Sequence, residues 1–277
     1  MAGRRVVSAW LDAISAELHD VSERPRREAE LLLMAFLQRD QLWLITHQDT
    51  LIDEDHKLTE WIKRRAAHEP LEYITNRVSF YSEMFHIEPG ALIPRPETEL
   101  LIDEVLACVG KEDQITIAEV GIGSGVISIM LARYLPNARI IASDISTDAL
   151  SVARKNIAEF GLEERIELRQ GDLLESIDEV IDILVSNPPY IARDADLEAN
   201  LDYEPSQALF GGDAGDEIIQ RLLDEVNGRG IKCFACEMGY DQKVKVEAYL
   251  RLDDSQSLTF YKDLAGFDRG FVLKHIV

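Results

Sequence analysis

Apolar residues recur at helical spacing through the first quarter of the chain and at strand spacing after it. From Val6 to about Ile74 only helices are expected. Ala29, Leu32, Leu33 and Phe36 hold one helical period behind SERPRRE, and Leu58, Trp61, Ile62 and Arg65 hold another in DEDHKLTEWIKRRAAHEP. After Pro70 the text shortens to strand-like pieces, VSFYSEMFHIEPGALIPRPETELL, in which Phe80, Phe85, Ile87 and Ile93 alternate imperfectly. This stretch reads as a hairpin and linker. From Ile115 strands and helices take turns: ITIAEV, a helix from about Val126, ARIIAS, TDALSVARKNIAEF, RIELRQ, IDILVS, a helix from Asp216, IKCFACEM, a helix from Asp241 and two last strands. Such alternation predicts an α/β fold, a doubly wound parallel sheet with helices on both faces, whose ligands sit at the carboxyl ends of the strands. The expected division is a helical domain over 1–75, a hairpin and linker over 76–98, and a sheet domain over 99–277.

Composition narrows the class. With 46% hydrophobic and 29% charged residues the chain is that of an ordinary globular protein, and no run approaches the roughly 20 apolar residues of a bilayer span. The amino-terminal MAGRRVVSAWLDAISAELHD turns amphipathic after two arginines, unlike a signal peptide. Three cysteines make no disulfide framework, so a reducing cytoplasm is the expected location. Cys233 and Cys236 stand three apart on a strand and point to opposite faces, which favours two small buried side chains over a metal or redox pair. No metal site is expected. The formal net charge of −22 repels phosphate backbones and disfavours a nucleic-acid partner. The helical region, with ten basic and fourteen acidic residues before Arg77, is the less acidic part.

The chemistry gathers at strand ends. The first sheet strand ends in Glu119-Val120 and opens into Gly121-Ile122-Gly123-Ser124-Gly125. Glycines there let the backbone turn tightly and present N–H groups at a helix start. A dinucleotide fingerprint needs a third glycine where Val126 stands, the nucleophile elbow fails at Ile122, and no P-loop lysine follows. What remains is G-x-G-x-G after an acidic strand end, the form typical of adenosylmethionine methyltransferases. Asp144 ends the next strand, as ribose-binding carboxylates do, with a helix cap near Ser146 as the alternative. Asp172 follows the third strand, where an acid accepts from an adenine amino group and Leu173 packs on the ring; a plain turn is the alternative. The fourth strand ends in Asn187-Pro188-Pro189-Tyr190. Two prolines stiffen the backbone and remove two donors, so the loop offers carbonyl acceptors beside a flat ring, which suits a planar NH2 group.

Together these segments resemble the HemK/PrmC protein-(glutamine-N5) methyltransferases over nearly the whole chain. The resemblance rests on RREAELLL, EPLEYI, LIPRPETELL, EVGIGSGVISI, SNPPYI, YEPSQALFGGDAGDEII, EMGYDQ and KDLAGFDRG. NPPY is shared with adenine-N6 and guanine-N2 nucleic-acid methyltransferases; PRPETE, YEP…ALFGG and KDLAGFDR are not. The family implies a class I, Rossmann-like, seven-stranded methyltransferase sheet with its last strand antiparallel, preceded by a helical domain that docks the substrate. It implies S-adenosylmethionine as cofactor, class 1 peptide chain release factors as partners, and methylation of the glutamine in their Gly-Gly-Gln motif. Carried over by position, Glu119, Gly121, Ile122, Gly123, Ser124, Gly125, Asp144, Asp172, Leu173 and Asn187 would hold the cofactor. Asn187, Pro188, Pro189 and Tyr190 would hold the glutamine, with Phe80 and Arg95 at the mouth. The sequence departs where Glu119-Val120 replaces Asp-Leu or Asp-Val, where Ile122 replaces Thr or Cys, and where Leu173 replaces a frequent Trp or Phe.

An amide nitrogen is a poor nucleophile, so the protein has mainly to position it against an already activated methyl. Asn187 and the Pro188 carbonyl are expected to accept the two N–H groups of the target, with Tyr190 on its plane. A monomer is expected. The competing readings are a nucleic-acid methyltransferase acting on adenine N6 or guanine N2, and a non-catalytic adaptor that binds the cofactor.

Overall fold

The computed structural model describes residues 4–196, 200–252 and 254–275. The first three residues of the amino-terminal segment lie outside the described part. The chain separates into two compact units, one of the residues up to Arg77 with 200–203, the other from Val78 onward.

In the first unit β1 (Arg4–Val6), α1 (Val7–Glu17), α2 (Pro25–Leu37), α3 (Gln41–Thr46), β2 (Leu51–Asp53), α4 (His56–Ala66) and α5 (Leu71–Thr75) follow in order. Pro25 opens α2 at its first turn, where its missing N–H costs nothing, and Gln38 closes it in the left-handed region. The apolar faces meet in one core of Trp10, Leu11, Ile14, Leu32, Leu33, Leu58 and Trp61. Arg65 of α4 forks onto Glu28 of α2, its Nε 2.6 Å from Oε2. Two short strands break the all-helical expectation: β1 pairs antiparallel with β2, Arg5 opposite Ile52. Three residues show only one alternation, and here only Ile52 of β2 turns inward, so periodicity carries no strand signal.

The hairpin β3 (Arg77–Phe80) and β4 (Glu83–His86), which belongs to the second unit from Val78 on, is followed by α6 (Thr98–Leu106). This helix starts at the end of the stretch read as linker and runs into the start of the sheet domain, where the sequence pattern predicts no helix before Val126. It starts just after PRPE and buries Leu101, Ile102 and Val105 on one face. Then come β5 (Thr116–Val120), α7 (Val126–Tyr134), β6 (Arg139–Asp144), α8 (Thr147–Glu159), β7 (Ile166–Gln170), β8 (Ile183–Ser186), β9 (Ile191–Ala192), β10 (Phe210–Gly212), α9 (Glu217–Arg229), β11 (Cys233–Glu237), α10 (Lys243–Tyr249), β12 (Gln256–Lys262) and β13 (Asp268–His275). Seven strands form one sheet in the order β12-β13-β11-β8-β5-β6-β7. β13 runs antiparallel to both its neighbours, β11 and β12, and the other neighbouring pairs are parallel. The strand order reverses between β5 and β8, so their carboxyl ends open a crevice there. Buried Ala118, Leu184, Phe234 and Phe271 fill one face of the sheet with Leu222 and Val226 of α9. Cys233 and Cys236 are both buried and unbridged. Among the described residues no helix is long and apolar enough to cross a membrane.

Candidate functional site

A cleft of about 360 Å³ opens at the reversal point. It is lined by the β5 end and glycine turn (Glu119, Gly121, Ile122, Gly123, Ser124), by Asp144, by Asp172 and Leu173, and by Asn187, Pro188 and Pro189. Segments far apart in sequence thus converge because parallel strands deliver all their carboxyl ends to one edge. The linker adds Gly90, Ala91, Leu92 and Pro94, the start of α6 adds Thr98, and the stretch before β10 adds Pro205, Gln207 and Ala208.

The turn after β5 holds Gly121, Gly123 and Gly125 at φ of +74°, +55° and +86°, which side-chain-bearing residues adopt only with strain. Gly125 caps α7 and faces Ala153, and it is not among the lining residues. Glu119 is fully buried on β5. Ser128 of α7 donates to its Oε2, while Oε1 has no hydrogen-bond partner. Burial pushes this carboxyl up to about 8 against the Ser128 hydrogen bond. An orphaned acid oxygen at the wall of a cleft suits a cationic ligand group, which would complete it.

Asp144 is tied on both oxygens, accepting from Gly123 N at 3.0 Å and Ser146 N at 2.9 Å. Burial raises its carboxyl, and these main-chain donors oppose the rise. The cap of α8 is Ser146 itself, accepting from Ala149 N. Asp144 therefore braces the glycine turn and still faces the cleft. Asp172 accepts from Arg221 of α9 at 2.6 Å, a partner with no signal in the sequence. Leu173 sits at φ +49° with its carbonyl taking the Ser143 hydroxyl at 2.6 Å. Its side chain is buried with Leu174 and Ile177 while lining the cleft.

The Asn187 Nδ2 donates to Thr98 Oγ1 at 3.1 Å, and Thr98 donates to Glu237 Oε2 at 2.7 Å. No donor among the described residues reaches the Asn187 Oδ1. Tyr190 lies behind the cleft rather than along it, its hydroxyl 3.3 Å from Glu237 Oε1. Glu237 ends β11 at 1% exposure, and burial lifts its carboxyl to about 7. Gln242 clamps the loop from below, its Nε2 donating to the carbonyls of Tyr190 and Gly215. A Cβ on Gly211 would stand 2.4 Å from the carbonyls of Pro189 and Gly215, so the ALFGG run seats the proline loop by close backbone approach. Phe80 is buried in the hairpin against Phe85 and does not line the cleft. Arg95 is also outside the lining; it bonds Glu204 at 2.6 Å, and Glu204 also takes Ile93 N. The PRPETE and YEP segments thus fasten to each other. Thr98, Glu237, Gln242 and Glu204 lie inside sequence segments singled out above, yet nothing local to them announces these partnerships.

Residues 97–202 match the family described as methyltransferase small domain, and residues 9–75 match the PrmC N-terminal domain. The chain is 39% identical over 254 residues to the release factor glutamine methyltransferase of Koribacter versatilis, covering 88% of this chain and 89% of that one. To the enzyme of that description from Clostridium acetobutylicum it is 33% identical, with 96% of each chain covered. Among solved structures, a methyltransferase from Pyrococcus furiosus superposes with a TM-score of 0.51 at 16% identity, over 69% of this chain and 87% of that one. The N-terminal domain of human METTL16 in complex with SAH gives 0.51 at 16% identity, over 70% and 75%. These two likenesses show the fold alone. The sequence relatives do more: similar over nearly their whole length, they show that this chain belongs to the release factor glutamine methyltransferase family.

Proposed function

We propose that the protein transfers a methyl group from S-adenosylmethionine to the side-chain amide nitrogen of the glutamine in the Gly-Gly-Gln motif of class 1 peptide chain release factors, as a cytoplasmic monomer. The observation that carries this reading is the acceptor-only edge of the cleft. The free Asn187 Oδ1 and the Pro188 carbonyl stand on a loop that two prolines deprive of donors. Bound S-adenosylmethionine supplies a methyl already activated on a sulfonium. The residues present fit such a molecule: the glycine turn would give it room, the unpartnered Glu119 Oε1 would take an ammonium, and Asp144, which lines the cleft, would accept from ribose hydroxyls. The chain's own work is then positional. Asn187 and Pro188 each accept one N–H of the target amide, which aims its nitrogen and eases the positive charge it gains on attack. Tyr190 supports the loop from behind through Glu237 instead of covering the amide plane.

The cleft charges disfavour a nucleic-acid substrate. Besides the buried Glu119, two acids, Asp144 and Asp172, line it against one base, Arg221, which Asp172 already holds. Labelled S-adenosylmethionine offered separately to a release factor, its Gln-to-Ala variant, duplex DNA and rRNA should mark the first alone. Asn187→Ala should slow single-turnover transfer about a hundredfold to a thousandfold, by analogy with losing one preorganised group at a transition state, and weaken cofactor affinity far less. Label on the nucleic acids and none on the release factor would overturn the reading.

A further inference from the structure

A side-chain amide has two ends of nearly equal shape and opposite hydrogen-bonding sense. Turned one way, Asn187 offers the cleft a carbonyl oxygen that accepts from a planar NH2. Turned the other way, it offers donors, which repel the same group. Asn187 cannot choose between these by itself, because neither end differs in size. Its neighbour can choose. The Thr98 hydroxyl stands 3.1 Å from Asn187 and 2.7 Å from Glu237 Oε2, and it has a single proton to give. With that proton on the Glu237 carboxylate, Thr98 has only lone pairs left for Asn187, and only the NH2 end fits against it. Both Thr98 and Glu237 are buried, at 2% and 1% exposure, which shields these bonds from bulk water. The second Glu237 oxygen is taken by the Tyr190 hydroxyl, so the carboxylate accepts from two donors at once.

We propose that Glu237 is a positioning residue that, through the Thr98 hydroxyl, fixes Asn187 with its carbonyl oxygen toward the substrate amide. This rests on the proposed reading that the target is a planar amide nitrogen. The arrangement depends on charge. If Glu237 took up a proton on Oε2, the carboxyl would donate to Thr98, the Thr98 proton would turn to Asn187, and the carbonyl end would be drawn inward. Burial holds that carboxyl at about 7, with the Thr98 and Tyr190 hydroxyls pulling it down. The other groups facing Glu237 are Glu97 ahead of α6, Arg269 on β13, Tyr261 on β12 and its neighbour Cys236. Burial raises Tyr190, Tyr261 and Cys236, so all three keep their protons near neutrality. Glu97 raises and Arg269 lowers the Glu237 carboxyl.

Three readouts on the full chain test the relay. In wild type, single-turnover methylation of a release factor, with S-adenosylmethionine kept saturating at every pH, should fall as pH is lowered through about 7. Thr98→Val keeps the volume and removes the hydroxyl. It should slow transfer at pH 8 by about tenfold to a hundredfold, the order expected for mispositioned reacting groups, and abolish the acid limb. Thr98→Ser should restore the rate to within about threefold and restore the limb, because the proton logic returns. Cofactor affinity within about twofold of wild type in both variants shows that the crevice is intact, since neither touches the glycine turn or Asp144. The third readout needs no substrate: the Asn187 side-chain NH2 resonance of 15N-asparagine-labelled protein should shift with an apparent pKa near 7 in wild type and Thr98→Ser, and not in Thr98→Val. Thr98→Val methylating at the wild-type rate, an acid limb or a titrating resonance that survives it, or Thr98→Ser as slow as Thr98→Val would overturn the relay. A wild type that leaves release factors unlabelled overturns the substrate reading instead, and the resonance still decides the relay.

Discussion

Glu119 is the residue at which burial and ligand chemistry meet most directly. An unpaired acid oxygen away from water favours the neutral form, and this carboxyl is held at about 8. Its folded value lies above the ordinary carboxylate value. Its contribution to stability is therefore full below the unfolded value of 4.5 and lost as pH rises through about 8. A cation beside Oε1 reverses the preference, so binding an ammonium near pH 7 must expel a proton from Glu119. Calorimetry of S-adenosylmethionine binding at pH 7, in buffers of different ionisation enthalpy, should give heats that differ by the released proton. Glu119→Gln should remove that difference, bind about tenfold or more weakly for a lost charged hydrogen bond, and melt higher than wild type at pH 9 in the free form. Wild-type heats independent of buffer would mean that no cation meets Glu119. The alternating pattern marks the position as the end of a strand, but the state of its proton comes from Ser128 and from tertiary burial.

At the scale of elements, the proline loop is a seated part rather than a free turn. Gly211 lies under it, Gln242 bonds its exit, and Glu237 takes the Tyr190 hydroxyl. Gly211→Ala would drive a methyl to 2.4 Å from the Pro189 and Gly215 carbonyls, which cannot yield as a flexible side chain would. The expected cost is about 1–3 kcal/mol of stability for overpacking, read from the denaturant midpoint, with methyl transfer impaired more than cofactor affinity. An unchanged midpoint together with an unchanged rate would mean that the loop shifts freely. This seating also separates what the sequence makes legible from what it hides. Short apolar runs such as ITIAEV and IDILVS, buried on both faces and followed by a glycine turn or by NPPY, mark β5 and β8 because the run and the turn chemistry agree. The short β1 and β2 and the helix α6 escape because three residues carry no period and because PRPETE resembles loop text. Glu119, Asp144 and Asn187 are legible as strand-end residues. Thr98, Arg221 and Glu237 are not, since each matters through a partner 49 to 139 positions away.

At the scale of the molecule, the two units carry separate hydrophobic cores: one runs from Val7 to Ile74, and the other gathers around the sheet. Every residue that lines the cleft belongs to the second unit. Cofactor binding should therefore survive without the first, because neither the glycine turn, nor Asp144, nor the proline loop draws on it. What the first unit can add is recognition of a large substrate. It is the less acidic part of a chain whose net charge of −22 otherwise repels acidic surfaces. It also carries exposed Leu42, Ile45 and Leu51, at 68%, 62% and 59% exposure, beyond what its own core uses. A chain beginning at Val78 should bind S-adenosylmethionine with near-wild-type affinity by calorimetry. Its transfer to an intact release factor should fall at least about tenfold at subsaturating substrate, the effect of losing roughly 1.4 kcal/mol of docking energy. Transfer to a short peptide carrying Gly-Gly-Gln should change much less, since a peptide reaches only the cleft. Equal rates on the intact protein for the shortened and full chains, both folded, would remove docking from the first unit and leave its role to be sought in the stability of the second.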